Sequence, residues 1–397
     1  MRQITVTGID IEKILQLAPS PAYVVDVGRL RHNLAILDSV QQRSGAKILL
    51  ALKAFSMWSV FPLIRQTLHG VCASSPWEAR LGREEFGREV HSFAAAFKES
   101  DVVELLRISN HLVFNSFGQL ERFRPLWQKE QGRVSIGLRV NPEHSEGHTE
   151  IYDPCAANSR LGIPYSEFAL RLRSGDAERF LSGVEGLHFH TLCEQLFEPL
   201  ERTARAFEEK FGDFLPRMKW INFGGGHHIT REGYDTDGLV ELIRYFKNKY
   251  DVEVYLEPGE AVAIGTGILV GEVLDLVNNG MEIAILDVSA TCHMPDILEM
   301  PYRPGIKGGF DPGEKPHNYR LGGPSCLAGD VIGDWSFDKP LHPGDRLAFL
   351  DMSHYTMVKT TMFNGIQHPH ICTFEPENGE LKVVRSFGYD DFKQRLS

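Results

Sequence analysis

The chain has 397 residues, with 42 lysines and arginines against 53 aspartates and glutamates, giving a formal net charge of −11. Its 42% hydrophobic and 24% charged residues describe a folded globular protein of roughly two to three domains and exclude a disordered, collagen-like or coiled-coil chain. An acidic balance opposes nucleic acid and anionic lipid and suits a cationic ligand.

The first 17 residues mix Arg2, Asp10, Glu12 and Lys13 among apolar ones, which predicts no signal peptide. No later run reaches the roughly 18 apolar residues of a membrane span. The cysteines, Cys72, Cys155, Cys193, Cys292, Cys326 and Cys372, form no C-x-x-C pair. That disfavours a disulfide framework and a zinc site, so a cytosolic protein without a metal is expected.

From Ala46 to Glu260 short apolar or β-branched runs recur, each ending in something polar. They are AKILLAL before Lys53, GVCA before Ser74, VHSFAAAF before Lys98, LVFN at Asn115, SIGLRV before Asn141, GVEGLHF before His190, KWINF before Gly224 and EVYL before Glu257. Helix signals lie between them. Ser75-Pro76-Trp77-Glu78 is a capping box with proline at the first helical position, and Ser116 with Gln119 repeats the logic. Leu239, Leu242, Ile243 and Phe246 form one apolar stripe before the last run. Eight strand-helix units predict a (β/α)8 barrel over residues 28–262, whose chemistry sits at the strand C-termini. The stretch from Pro142 to Pro164 is too long for an ordinary connection and reads as a functional loop.

After Glu260 the texture changes to strand-like runs, GILVGEVLDLV, EIAILDV, RLAFLDM, ICTF and LKVV, with Asn378-Gly379 as a hairpin signal. Residues 263–397, joined by 1–27 through a strand at PAYVVDV, are expected to form a mostly antiparallel β domain.

The strand ends suggest one chemistry. Lys53 closes an apolar run, where desolvation lowers an amine's pKa and makes it nucleophilic toward an aldehyde; a lysine snorkelling to solvent is the plainer alternative. Gly224, Gly225 and Gly226 follow the seventh strand, where backbone N–H groups of a barrel can converge on a phosphate, although a tight turn would also use glycine. His190 could stack on a flat ring or be merely structural. A metal held by His188 and His190 has no evident third ligand. Glu257 is a carboxylate held at the eighth strand end. Together these are the needs of pyridoxal 5'-phosphate: an amine for its aldehyde, a cradle for its phosphate, an imidazole for its face and a carboxylate for its ring nitrogen.

The order of Lys53, HFH to His190, GGG at 224–226, EPG at 257–259, GPSC to Cys326 and HYTMVKTTMFNG to Gly365 resembles the barrel-fold pyridoxal-phosphate decarboxylases of basic amino acids, which have the alanine racemase-like fold. Within that family KAFSMWSVFP, CASSPWEARLG, NSRLGI, HFHTLCEQ, EPGEAV and GGPSCLAGDVIGDW are most similar to the branch acting on carboxynorspermidine and carboxyspermidine. The resemblance implies a homodimer with shared sites, in which Cys326 and Asp330 reach the other barrel. It implies that Tyr355 approaches the cofactor and that Glu299 receives the substrate's distal ammonium. It departs from the wider family at Glu260, where many relatives carry arginine, at Leu327, where they carry an acid, and at Val71, where an acid helps fix the lysine. Glu260, Glu299 and Asp330 would suit a polycationic carboxylated polyamine; decarboxylation of diaminopimelate, arginine or ornithine, and a non-catalytic cofactor-binding protein, are the alternatives.

Overall fold

The computed structural model describes residues 8–147, 152–172 and 177–397. The chain divides into two compact units, Asn33–Val262 and a second made of residues up to His32 together with Ala263–Ser397. No helix among the described residues is long and apolar enough to cross a membrane.

The strands in chain order are β1 (Ala22–Asp26), β2 (Lys47–Ala51), β3 (Gly70–Ala73), β4 (Glu89–Phe93), β5 (His111–Phe114), β6 (Ser135–Asn141), β7 (Ile163–Pro164), β8 (Val184–His188), β9 (Trp220–Asn222) and β10 (Glu253–Leu256). After β1, all pairings are parallel and run β2-β3-β4-β5-β6-β8-β9-β10, with β10 returning to β2, so eight strands close a barrel. The two-residue β7 pairs on the far end of β6, within the stretch read as a functional loop, part of which lies outside the described residues. Each of the eight apolar runs forms a strand, and most stop one or two residues before the polar group. Lys53, His190, Gly224 and Glu257 therefore sit in the loops leaving the strand C-termini.

The connecting helices follow their local signals with two adjustments. Ser75 Oγ accepts from Glu78 N–H at 3.2 Å, but the Glu78 carboxylate accepts from Ser74 N–H at 2.6 Å, one residue earlier than a capping box requires. Helix Thr236–Tyr250 buries Leu239, Val240, Ile243 and Phe246, whereas Leu242 is only partly covered. The stripe centres between Leu239 and Ile243, which leaves Leu242 on its margin.

The barrel interior is filled by Leu49, Val113, Trp220 and Tyr255, with Cys72 and Phe93 packed against them. Trp220 fits because its neighbours are glycines. Gly186 lies beside it in the β8-β9 register and Gly137 one strand further, and a Cβ on either would stand 2.0 Å and 2.4 Å from the indole.

In the second unit the chain continues with β11 (Gly267–Asn278), β12 (Glu282–Leu286), β13 (His317–Gly322), β14 (Val331–Phe337), β15 (Arg346–Leu350), β16 (His370–Glu375) and β17 (Glu380–Arg385). The sheet order is β14-β13-β12-β11-β1-β16-β17, with β15 also paired to β11. Most pairings are antiparallel; β1-β16 and β12-β13 are parallel. The N-terminal run PAYVVDV thus becomes a central strand. Helix Ile11–Leu17 buries Ile11 and Ile14 against Val24, Ile268, Val270, Ala348 and Phe374. The Asn378-Gly379 turn joins β16 to β17, with Gly379 at φ 69° as the tight turn demands.

Candidate active site

Lys53 stands just beyond β2 at the C-terminal end of the barrel, its Nζ 3.4 Å from His190 Nε2. The amine is open to water at the mouth and makes no ion pair with a described residue. The protein shell around it pushes its pKa below the lysine range; Cys72 opposes this and the Arg139 charge adds to it. His190 is pushed well below the usual imidazole range by burial, then by Lys53 and Arg139.

Gly225 N–H donates to His190 Nδ1 at 2.8 Å, so neutral His190 carries its proton on Nε2, facing Lys53. Only an uncharged amine can accept that proton, which agrees with the lowered lysine pKa. Gly224 N–H is likewise used internally, donating to Asn222 Oδ1 at 2.8 Å. Two of the three glycine N–H groups expected to cradle an anion therefore serve the protein, which leaves Gly226. All three positions are closed to larger residues. A Cβ at Gly224, Gly225 or Gly226 would meet the carbonyl oxygens of Phe189, Glu257 or Leu192 at 2.5, 2.2 or 1.8 Å.

Glu257 follows β10. Burial favours its neutral form, but His188 Nε2 at 3.4 Å and the Asn222 amide donating at 2.7 Å outweigh this, and the carboxyl is held at about 2. Glu260, at the start of helix Glu260–Ala263, lies 3.2 Å from His228 Nε2. The carboxylate at this position thus has an imidazole beside it.

Several residues of this site were not singled out in the sequence. Arg139, 4% exposed on β6, donates to the His190 carbonyl at 2.8 Å and lies over the Phe93 ring, and burial lowers its pKa to about 10. An arginine inside the apolar run SIGLRV was the available signal. The reading of Val71 as the residue beside the lysine is corrected by strand alternation: Val71 packs outward on Gly82, and Cys72 faces inward toward Glu257 and Lys53. Burial raises the Cys72 thiol well above its ordinary range, and Glu257 raises it further.

The remaining candidates belong to the second unit. Cys326 is exposed on a loop, its N–H held by Asn364 Oδ1 at 2.8 Å. Tyr355 opens the short helix Tyr355–Val358 and is half-buried. Glu299 is half-exposed and ion-paired with Lys359. Asp330, expected to receive substrate, is only 4% exposed and is already satisfied by the Ser289 hydroxyl at 2.9 Å and by Thr291 and Ser325 N–H. It fastens the loop that carries Cys326 instead.

The model of the family described as pyridoxal-dependent decarboxylase, C-terminal sheet domain, matches residues 22–353. The chain belongs to the pyridoxal-dependent decarboxylases. It is 44% identical to a carboxynorspermidine/carboxyspermidine decarboxylase of Campylobacter jejuni, over 95% of this chain and 98% of that one. It is equally 44% identical to a carboxyaminopropylagmatine decarboxylase of Synechocystis, over 96% of each chain. The crystal structure of carboxynorspermidine decarboxylase from Campylobacter jejuni, complexed with norspermidine, superposes with a TM-score of 0.86 at 42% identity, covering 95% of this chain and 99% of that one. Diaminopimelate decarboxylase of Helicobacter pylori shares the fold at 18% identity, with a TM-score of 0.82. As a pyridoxal-dependent decarboxylase, this chain has its amine, imidazole and carboxylate at the barrel end where the fold places chemistry.

Proposed function

We propose that this protein decarboxylates carboxynorspermidine and carboxyspermidine to norspermidine and spermidine, in polyamine biosynthesis, using pyridoxal 5'-phosphate. The observation carrying the reading is the Lys53 amine, which makes no ion pair among the described residues and is pushed toward its neutral form, in a chain aligned over 95% of its length with such an enzyme. The site fits the cofactor. Lys53 would hold its aldehyde carbon, His190 its ring face, Glu257 its ring nitrogen, and Gly226 its phosphate; Gly224 and Gly225 keep that loop in shape. When bound, the cofactor supplies the electron sink for the pair released as the Cα–carboxylate bond breaks.

The chain's own groups do the rest. Burial, with the Arg139 charge adding to it, pushes Lys53 toward its neutral form, which favours the amine as a nucleophile and as a carrier of one proton. The Glu257 carboxylate stays ionised and holds a proton on whatever nitrogen faces it, its other contacts being Asn222 and His188. Cys326 of the partner subunit would return a proton to the substrate Cα after carbon dioxide leaves. Glu299 and Glu260 are the acidic groups offered to the substrate's ammonium centres; Glu299 would exchange Lys359 for one of them.

A second reading has an observation of its own, the equal identity to the Synechocystis enzyme, and gives the distal group of the substrate as a guanidinium. Carbon dioxide release from carboxynorspermidine, carboxyspermidine, carboxyaminopropylagmatine, diaminopimelate and ornithine separates the readings, with Lys53→Ala as the blank. Turnover of the first two at least tenfold above the others supports the proposal. Preference for the guanidinium substrate replaces it with the second reading.

A further inference from the structure

The opposite end of the barrel holds a cluster that the decarboxylase reading does not use. Glu89 and His91 lie two apart on β4 and so face the same way, into the barrel, and His111 opens β5 directly opposite His91 in the parallel register. The two imidazoles stack, with centroids 3.8 Å apart and planes 18° apart. One nitrogen from each and one Glu89 oxygen lie within 4.8 Å of one another. His91 is 3% exposed and His111 9%, and His111 Nδ1 has no hydrogen-bond partner among the described residues. An open cavity of about 280 Å³ borders Glu89 and His111 and is lined also by Glu185 and by the cations Lys47, Arg133 and Lys219.

We propose that Glu89, His91 and His111 bind one divalent transition-metal ion, of which zinc is the best match. Two imidazoles and a carboxylate form a nitrogen-rich donor set that favours zinc over magnesium or calcium, and the cavity leaves a fourth position for water. His91 Nε2, now 3.0 Å from Glu89 Oε2, would become a ligand by moving its proton to Nδ1, with no net change in charge. The Lys47 ammonium, 3.2 Å from Glu89 Oε1 and held also by Tyr255 OH, competes with the ion for that carboxylate. The role is structural: the ion ties β4 to β5 at the barrel end where stability, not chemistry, is built.

The test uses untagged, cofactor-loaded enzyme freed of metal by a chelator and then titrated with zinc, and with cobalt for its visible ligand-field bands. The expected result is one equivalent bound per chain, a higher melting temperature with zinc, and unchanged turnover. His111→Gln and Glu89→Gln should abolish binding, with folding checked by their retained decarboxylation. Lys47→Met should tighten zinc by about tenfold, because it removes a competing charge; this variant needs no loss of function to be informative. Absence of micromolar zinc binding in the wild type, or equal binding by His111→Gln, overturns the proposal.

Discussion

Glu257 shows how one residue joins charge to chemistry. An unfolded glutamate titrates near about 4.3, and here the carboxyl is held at about 2. Its folded pKa is depressed, so the stability it contributes is complete above the unfolded value and is lost as pH falls through the folded one. In cofactor-free protein, Glu257→Gln should flatten the fall in denaturant midpoint between roughly pH 4.3 and pH 2. An unchanged acid slope would mean that Asn222 and His188 do not hold the charge. In the loaded enzyme the same change should lower kcat with little effect on KM, because the carboxylate's charge matters most when electrons move onto the cofactor. A raised KM at constant kcat would instead make Glu257 a substrate ligand.

At the scale of elements, the barrel depends on a fit between three strands that no local pattern announces. Gly137, Gly186 and Trp220 sit on β6, β8 and β9, and the indole occupies the volume that two side chains would otherwise fill. Its Nε1–H donates to Ser135 Oγ at 2.8 Å, which in turn donates to Glu185. Gly186→Ala should therefore destabilise the protein by about 1–3 kcal/mol through overpacking. Trp220→Leu should cost stability alone yet recover part of that loss when combined, giving a coupling energy above about 0.5 kcal/mol in a denaturation cycle. Strictly additive losses would show that the glycines serve only the backbone. The eight strands were legible because each is a contiguous apolar run with a polar stop, and so were Lys53, His190 and Glu257 at those stops. What was not legible depends on contacts far apart in sequence. The inward face of β3 belongs to Cys72 rather than Val71, two glycine N–H groups are taken by Asn222 and His190, and Asp330 is satisfied by Ser289. Arg139 lay in plain view, but its partners are a carbonyl and a ring on other strands.

At the scale of the whole molecule, the proposed reaction needs the thiol of Cys326 at a barrel that carries Lys53. The chain's two compact units divide these residues between them, and Cys326 is exposed on a loop fastened by Asp330 and Asn364 rather than buried as free cysteines usually are. A thiol displayed in this way suits delivery to another surface, and a two-fold dimer would supply each barrel with Cys326 of the partner subunit. Lys53→Ala should be nearly inactive, and Cys326→Ala should be slowed and should divert some turnovers to an aldehyde product because the proton reaches the wrong carbon, so that each forms little polyamine on its own. When the two are mixed and their subunits exchange, half of the dimers are mixed, and each has one site with both residues intact. Activity should then return to about a quarter of the wild-type value. Exchange followed by mass spectrometry of differently labelled chains removes the trivial explanation for failure. If mixed dimers form and the activity stays at the level of the parents, Lys53 and Cys326 serve the same site from one chain, and the shared-site dimer is wrong.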